Sequence, residues 1–596
     1  MPPTPSRWAT LALGVLSLAG AVALIAIFHG EATRYGLEHR LLTYLVAPGP
    51  SEPETAFLVF QLLYAVPAVL LLGFALESLA PGPLRGAARW KDASDHRVPL
   101  LALTLLGLAG SWTVRTFVTQ RADFTDDERL YWYQAQVLLE GMIVGPSQPV
   151  PGAFEYEFIA ATHDGSGLAG IFTVGQPLLL ALGSLVGDRD LFQWLAVGAL
   201  VLLTFALARE LFERTPLALV AAAFVALSPS LLLAAGSRHN DVPCAAFSAA
   251  ALWCALRWEK TSALGWASGA GACTAAVFLI RPLDGLIALL ALAAFASLRA
   301  RRDGGAGRWR GVLIAGLSFA AGSAFQLYVN WRSTGRPFSP TYDLWIARDW
   351  PQAIRFGFGL GTWNVEQTPS SLLVKTFTAA LRIAQWLGGN LLLAVPVFVG
   401  LLQPELRRRA GLALWWALLF VGGYAAFVFP STHDFGSVYH LPLLPLLAIA
   451  FALGLEALAT RVVRFRGLVA ASVLVAASTF VAFQLRRLHR VADSVQAPLL
   501  LAQTAHERVG RPLVVLWKRM FPGKLPTSWV RMPPPLSPRR DEPIIWARDD
   551  AAALPGLRTA FPDRLFVRLG WSATGEPTLE PLEQPPSPQG VSPDGR

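Results

Sequence analysis

Charge is scarce in this chain: Asp, Glu, Lys and Arg make up 15% of its 596 residues, where a soluble globular domain carries about 25%. With 54% hydrophobic content and a mean hydropathy of +0.45, the shortfall excludes an ordinary soluble globule and leaves a membrane protein. Cysteine is scarcer still. Cys244, Cys254 and Cys273 sit in apolar segments without CxxC spacing, so neither a disulfide framework nor a zinc site is supported. No internal repeat of solenoid period is visible. The formal net charge of +10 does not imply nucleic acid, because the basic residues form short clusters between apolar runs and no single stripe. Arg7 precedes the first apolar run and no small-residue cleavage site follows it, so that run reads as an anchor and not a removed signal peptide.

What the chain has in quantity is apolar runs long enough to cross a bilayer. Runs of roughly 17–25 residues predict about thirteen spans: Trp8–Phe28, Ala56–Ala80, Val98–Val118, Leu191–Ala208, Leu217–Ala235, Val242–Leu256, Leu264–Ile280, Leu283–Leu298, Val312–Val329, Ala379–Leu402, Leu412–Phe429, Leu441–Leu458 and Leu468–Phe483. Gln176–Val186 is too short to span and reads as interfacial or re-entrant. Arg85, Arg89, Lys91 and Arg97, then Arg299, Arg301, Arg302, Arg308 and Arg310, then Arg407, Arg408 and Arg409 all fall on one side. Positive residues in short loops stay cytoplasmic, which puts the N-terminus inside and the multi-pass chain in the plasma (inner) membrane. Arg486, Arg487 and Arg490 run against that pattern.

The expected organisation is an N-terminal transmembrane hairpin and connector (1–97), a membrane domain (98–484) with an outer loop at 119–175, an extracytoplasmic α/β domain (485–580) and a disordered tail (581–596) rich in Pro, Ser and Gly. Strand-like runs at Pro512–Trp517, Pro543–Ala547 and Arg564–Trp571, after a helix-like stretch near Ala497–Val509, supply the α/β expectation. The fold class is thus an all-α polytopic membrane protein with a small C-terminal α/β domain.

Within the outer loop, FTDDERLYWYQAQVLLEG (Phe124–Gly141) concentrates three carboxylates, Asp126, Asp127 and Glu128. Thr125 and Glu128 make a T-x-x-E capping box, and acids in a first turn are favoured by the helix dipole. A structural role accounts for the cluster as well as a chemical one does. The aromatic residues Tyr131, Trp132 and Tyr133 suit a membrane interface.

The run DDERLYWYQAQVLLEG, then HDG (His163–Gly165) and FTVGQPLLLALGSLVG (Phe172–Gly187), resembles the first outer loop of GT-C membrane glycosyltransferases. More narrowly, it resembles the branch of protein O-mannosyltransferases (family 39) and lipid A aminoarabinose transferases. RHNDVPCAAF (Arg238–Phe247), LIRPLDGL (Leu279–Leu286), YVNWRSTGRPFSPTY (Tyr328–Tyr342) and GSVYHLPLLPLLA (Gly436–Ala448) resemble that branch's later landmarks, over roughly Val98–Phe483. Two departures stand out. The hairpin about Trp8–Ala80 is additional, and TVGQP lacks the lysine and paired prolines of the aminoarabinose branch.

The resemblance implies transfer of a sugar from a polyprenyl-phosphate carrier to an extracytoplasmic lipid, glycan or protein acceptor in one inverting step, with membrane lipids as surroundings and no nucleic acid. It implies Asp127 as general base, Glu128 as its acidic neighbour and Asp241 as a second functional acid. Substrate contacts would come from Asp126, Tyr131, Gln134, His163, Asp164, Arg238, His239, Arg281, Tyr439 and His440, with a guanidinium suited to pairing two phosphate oxygens. Asp241 serves equally as a helix cap, and His433 and His440 read more simply as structural. A divalent metal stays open as cofactor. The rival classes are a lipid transporter or flippase, which concentrates charge at the midplane, and a noncatalytic partner that keeps the fold.

Overall fold

The computed structural model describes residues 7–34, 65–79 and 96–582, apart from breaks at 124, 148, 151, 155–157, 304–305, 362–365, 390, 428–437, 460–464, 481–484, 518–539 and 573–575. His433, most of the first cytoplasmic connector and nearly all of the expected disordered tail lie outside the described residues. The chain runs α1 (Arg7–Arg34), α2 (Val66–Leu79), α3 (Arg97–Thr113, extended by a π-helical turn Val114–Val118), α4 (Asp126–Leu139), β1 (Gly145–Pro146), β2 (Ile159–Ala161), β3 (Gly167–Gly170) and α5 (Gly175–Leu185). It continues through α6 (Leu191–Phe212), α7 (Thr215–Ala226), α8 (Pro229–Ala235), α9 (Asp241–Thr261), α10 (Leu264–Ile280), α11 (Pro282–Asp303), α12 (Ala306–Thr334) and α13 (Tyr342–Asp349). A short hairpin of β4 (Gly359–Leu360) and β5 (Glu366–Gln367) precedes α14 (Pro369–Gly388), α15 (Ala394–Leu401), α16 (Pro404–Arg409), α17 (Gly411–Ala426), α18 (Leu444–Ala459) and α19 (Phe465–Thr479). The last stretch holds α20 (Arg486–Val509), β6 (Leu513–Trp517), β7 (Ile544–Arg548), α21 (Leu554–Ala560), β8 (Leu565–Trp571) and β9 (Pro577–Pro581).

Among the described residues, four helical stretches are long and apolar enough to cross a membrane: Arg97–Val118, Leu191–Phe212, Trp309–Thr334 and Tyr439–Ala459. Seven other apolar helices are shorter. Two expected continuous spans are broken. Leu217–Ala235 bends by 50° between α7 and α8, because Pro229 disfavours helical geometry at Ser228. Ala379–Leu402 stops at Gly388, turns through Gly389 at φ +83°, and restarts through a 3-10 turn (Leu391–Leu393) into α15. A left-handed glycine after the last turn ends a helix. Gln176–Val186 forms α5 at 11 residues, too short to span, as expected.

The chain divides into two compact units. The first comprises residues 1–121, 173–326 and 350–489. Its core is built from α6, α7, α9 and α18 and is dominated by small side chains such as Ala218, Ala221, Ala222, Ala245, Ala249, Ala448 and Ala450. In lipid, where hydrophobicity does not drive helices together, small residues let backbones approach and gain dispersion contact.

The second unit comprises residues 122–172, 327–349 and 490–596. One sheet in it has the order β1-β3-β2, all antiparallel. The other has the order β7-β6-β8-β9, with β6 parallel to β7 and β8, and β9 antiparallel to β8. Every residue of β6, LVVLW, is buried, as befits a central strand covered on both faces. Leu513, Val515, Trp517, Trp546, Val567 and Leu569 pack there with Ala502 of α20. The Arg540 guanidinium donates to the carbonyls of Pro146 and Ser147 at 3.1–3.4 Å and lies 4.9 Å over the Phe154 ring. The Arg548 amide donates to the Ala153 carbonyl at 2.9 Å. These bonds tie the C-terminal sheet to the β1–β2 connection.

Candidate functional site

The three clustered carboxylates meet different fates at the start of α4. Thr125, in extended conformation, is the N-cap: its Oγ1 accepts from the Glu128 amide at 3.2 Å and its own amide donates to Glu128 Oε2 at 3.3 Å. The capping box is therefore formed, and Glu128 is fully buried in it. Asp126 is also buried, 3% exposed. Asp127 is the half-buried member of the trio, open in part to solvent. The buried Arg129 sits among them: burial presses its guanidinium below its ordinary value, and the charges of Asp126, Asp123 and Glu128 oppose that shift.

The same helix is seated on the β1-β3-β2 sheet. Gln134 donates to the Phe172 carbonyl at 2.9 Å, and Tyr131 is buried with its ring 5.2 Å from that of Phe172. His163 and Asp164 lie in the exposed turn between β2 and β3. Asp164 Oδ1 accepts from the Thr162 hydroxyl at 2.7 Å and from the Ser166 amide and hydroxyl at 3.1 and 2.8 Å. Those bonds, from Thr162 first, hold its carboxyl well below the usual range. His163 bonds the Ser333 carbonyl through its amide at 2.9 Å. Both residues serve the turn.

In the first unit, Arg281 is caged. It ends α10 in extended conformation. Its Nε donates to Asn240 Oδ1 at 2.9 Å, its Nη2 pairs with Asp241 Oδ1, and its Nη1 stands 3.9 Å from Asp284 Oδ2. The guanidinium carbon lies 4.9 Å over the Tyr439 ring, a cation–π arrangement strengthened by desolvation. Tyr439 stacks on Tyr424 at 5.3 Å, and Tyr424 in turn packs on His440 at 5.7 Å. Arg281 is 7% exposed, Asp241 fully buried and His440 2% exposed. Among the described residues, two buried polar atoms here have no hydrogen-bond partner, Asp241 Oδ2 and His440 Nδ1. A buried polar atom without a partner is costly, so both atoms are suited to meet polar groups of a bound ligand.

The TVGQP segment frames this cage. Thr173 Oγ1 donates to the Ile280 carbonyl at 2.8 Å, and Asn240 Nδ2 donates to the same carbonyl at 3.3 Å. A Cβ on Gly175 would lie 2.6 Å from the Leu279 carbonyl carbon and Ile280 nitrogen, so backbone meets backbone and only glycine fits. Gln176 donates to the Arg238 carbonyl at 2.8 Å. Arg238 itself is fully buried and turned into an ion triad: Asp190 accepts from Arg238 Nε at 2.7 Å and from Arg115 Nε at 3.3 Å. Burial pushes the Asp190 carboxyl up, but the charges of Arg115 and Arg238 outweigh it and hold the group well below the carboxylate range. His239 is buried in the turn before α9, its amide bonded to Ser237 Oγ at 3.3 Å.

The fold thus brings together Asp241, Arg281, Tyr439 and His440 in one unit, and Asp126, Asp127, Glu128, Tyr131 and Gln134 on one helix of the other. Sequence reading missed Arg115, Asp190, Asp284 and Tyr424. An acid inside an apolar run was the available signal for Asp284, since intramembrane carboxylates are expensive and kept for a reason. Among the described residues no group of three or more His, Cys, Asp and Glu is placed to hold a metal ion.

Residues 184–323 match the model of the family described as dolichyl-phosphate-mannose-protein mannosyltransferase. Among proteins of curated function none matches the sequence. Solved structures similar to the chain include the crystal structure of ArnT from Cupriavidus metallidurans bound to undecaprenyl phosphate, at 14% identity and TM-score 0.48, covering 79% of this chain and 92% of that one. The archaeal oligosaccharyltransferase AglB from Archaeoglobus fulgidus, in complex with an inhibitory peptide and a dolichol-phosphate, gives 12% identity, TM-score 0.41 and coverage of 82% and 75%. The arabinosyltransferase EmbB from Mycobacterium smegmatis gives 16% identity, TM-score 0.31 and coverage of 76% and 35%. The family-model match bears out the resemblance drawn from the sequence motifs, and its boundaries enclose Asp190, Arg238, Asp241, Arg281 and Asp284.

Proposed function

We propose that this chain, a GT-C-type membrane glycosyltransferase by its family match and motifs, takes its sugar from a polyprenyl-phosphate carrier and passes it to an acceptor hydroxyl on the extracytoplasmic face. The observation that supports the donor assignment is the Arg281 cage: a buried cation on an aromatic floor, beside two buried polar atoms that have no partner among the described residues. A guanidinium whose face rests on an aromatic ring directs its N–H donors outward in one plane, the geometry that pairs phosphate oxygens.

In the proposed reaction the acceptor oxygen attacks the anomeric carbon while the bond from that carbon to the phosphate oxygen breaks. The electron pair leaves with the carrier phosphate, whose growing charge Arg281 stabilises. The motif resemblance assigns the acceptor proton to Asp127, the trio's partly open carboxylate, as general base. Asp241 Oδ2 is available to accept a hydrogen bond from a sugar or acceptor hydroxyl. Tyr439 and His440 line the donor side, while Asp126, Glu128, Tyr131 and Gln134 keep Asp127's helix in place. Arg238, through Asp190, and His239, through Ser237, hold the turn before α9 that leads into Asp241. The N-terminus, by the charge pattern of the connectors, is cytoplasmic, and the carboxylate loop and C-terminal domain are outside.

Membranes containing the protein are expected to transfer sugar from a synthetic polyprenyl-phosphate sugar without added nucleotide. Direct transfer from a soluble nucleotide sugar by purified enzyme free of carrier lipid would refute the donor assignment.

A further inference from the structure

Asp241 and Asp284 flank the same guanidinium but differ in how their oxygens are spent. Asp241 uses Oδ1 on Arg281, and its buried Oδ2 has no partner among the described residues. Asp284, at the first turn of α11 and 1% exposed, has both oxygens engaged by the protein: Oδ1 accepts from the Tyr424 hydroxyl and Oδ2 from the Cys244 thiol at 3.1 Å, with Arg281 Nη1 3.9 Å away. Its donors come from two further helices, Tyr424 on α17 and Cys244 on α9, so three helices converge on one carboxylate. Tyr424 also carries the Tyr439 ring on which Arg281 rests.

We infer that Asp284 is a positioning residue, the fixed anchor of Arg281, and that Asp241 is the exchangeable partner that yields the guanidinium when a lipid-linked phosphate arrives. Resting on the donor reading above, this divides the two acids by chemistry. An incoming phosphate competes for Arg281 with whichever carboxylate is less firmly held by other bonds. Asp241, with one oxygen unpartnered among the described residues, can turn to a substrate hydroxyl. Asp284 cannot turn without releasing Tyr424 and Cys244, so it keeps one edge of the guanidinium in place throughout.

The test is binding of sugar-free polyprenyl phosphate to the purified full-length protein, together with donor kinetics. Asp284→Asn should weaken carrier binding on the order of tenfold and raise the donor KM to match, with a further fall in kcat because the same guanidinium meets the charge growing on the leaving phosphate. In an Arg281→Gln background the same change should add almost nothing, because the two residues act as one unit. Tyr424→Phe, which keeps the carboxylate, should shift the donor KM in the same direction by less and covers the case in which Asp284→Asn does not fold. Wild-type protein that binds no carrier would overturn the donor reading itself. Wild-type binding matched by Asp284→Asn, a fall in kcat at unchanged donor KM, or full additivity with Arg281→Gln would overturn the anchor alone.

Discussion

Replacing Thr125 by alanine removes the hydroxyl that accepts from the Glu128 amide and should cost about 1 kcal/mol of stability, while transfer by the folded protein stays near normal. Asp127→Asn should do the reverse, lowering turnover by about a hundredfold or more through loss of the base with little change in melting temperature. Measured side by side, the pair separates a cap from a catalyst. Near-normal turnover in Asp127→Asn would sink the assignment of the base. The T-x-x-E cap was legible because its residues are adjacent in the chain. The Arg281 cage was only half legible: Arg281 and Asp241 stood in motifs, whereas Tyr424 lies 140 positions from the Asp284 it bonds and no local pattern pairs them.

At the scale of elements, Asp190 joins the turn before α6, the π-helical end of α3 and the turn before α9 through Arg115 and Arg238. Asp190→Asn leaves two buried guanidiniums without their anion and should cost about 3–5 kcal/mol at neutral pH. The native pKa lies below the ordinary 3.8. The carboxylate's contribution is therefore complete above that value and is lost as pH falls through the native pKa. The melting gap between wild type and variant should hold steady from about pH 8 to 5 and narrow below about 4. A gap that instead closed towards neutral pH would refute the ion triad. Hydropathy located apolar helices, but of about thirteen expected spans only four helices among the described residues, or five if the bent pair is one span, are long and apolar enough to cross a membrane. It could not show the breaks at Pro229 and Gly389, where single residues interrupt runs whose average hydropathy is unchanged. The strands β6, β7 and β8 appeared within a residue or so of the expected runs, as β-branched and aromatic clusters do when bounded by Pro and polar residues.

At the scale of the whole molecule, the helical fold with its small C-terminal sheet follows from composition and periodicity. The assembly of the second unit from three distant stretches does not, because long-range pairing leaves no local mark. The Arg540 clamp on Ser147 bridges 393 positions. During synthesis at about 5–20 residues per second, Ser147 therefore waits on the order of 20–80 s for its partner. Through that interval the β1 strand beneath α4 lacks its clamp, and the carboxylate helix lacks its finished seat. Nascent chains arrested before Arg511 should be cut near Ser147 by a protease that spares full-length protein. Equal protection of the arrested and complete chains would show that the seat forms without the clamp. The Arg540 segment thus acts as a timer: the carboxylate trio is translated hundreds of residues earlier, but its surroundings are completed only after Arg540 has been made.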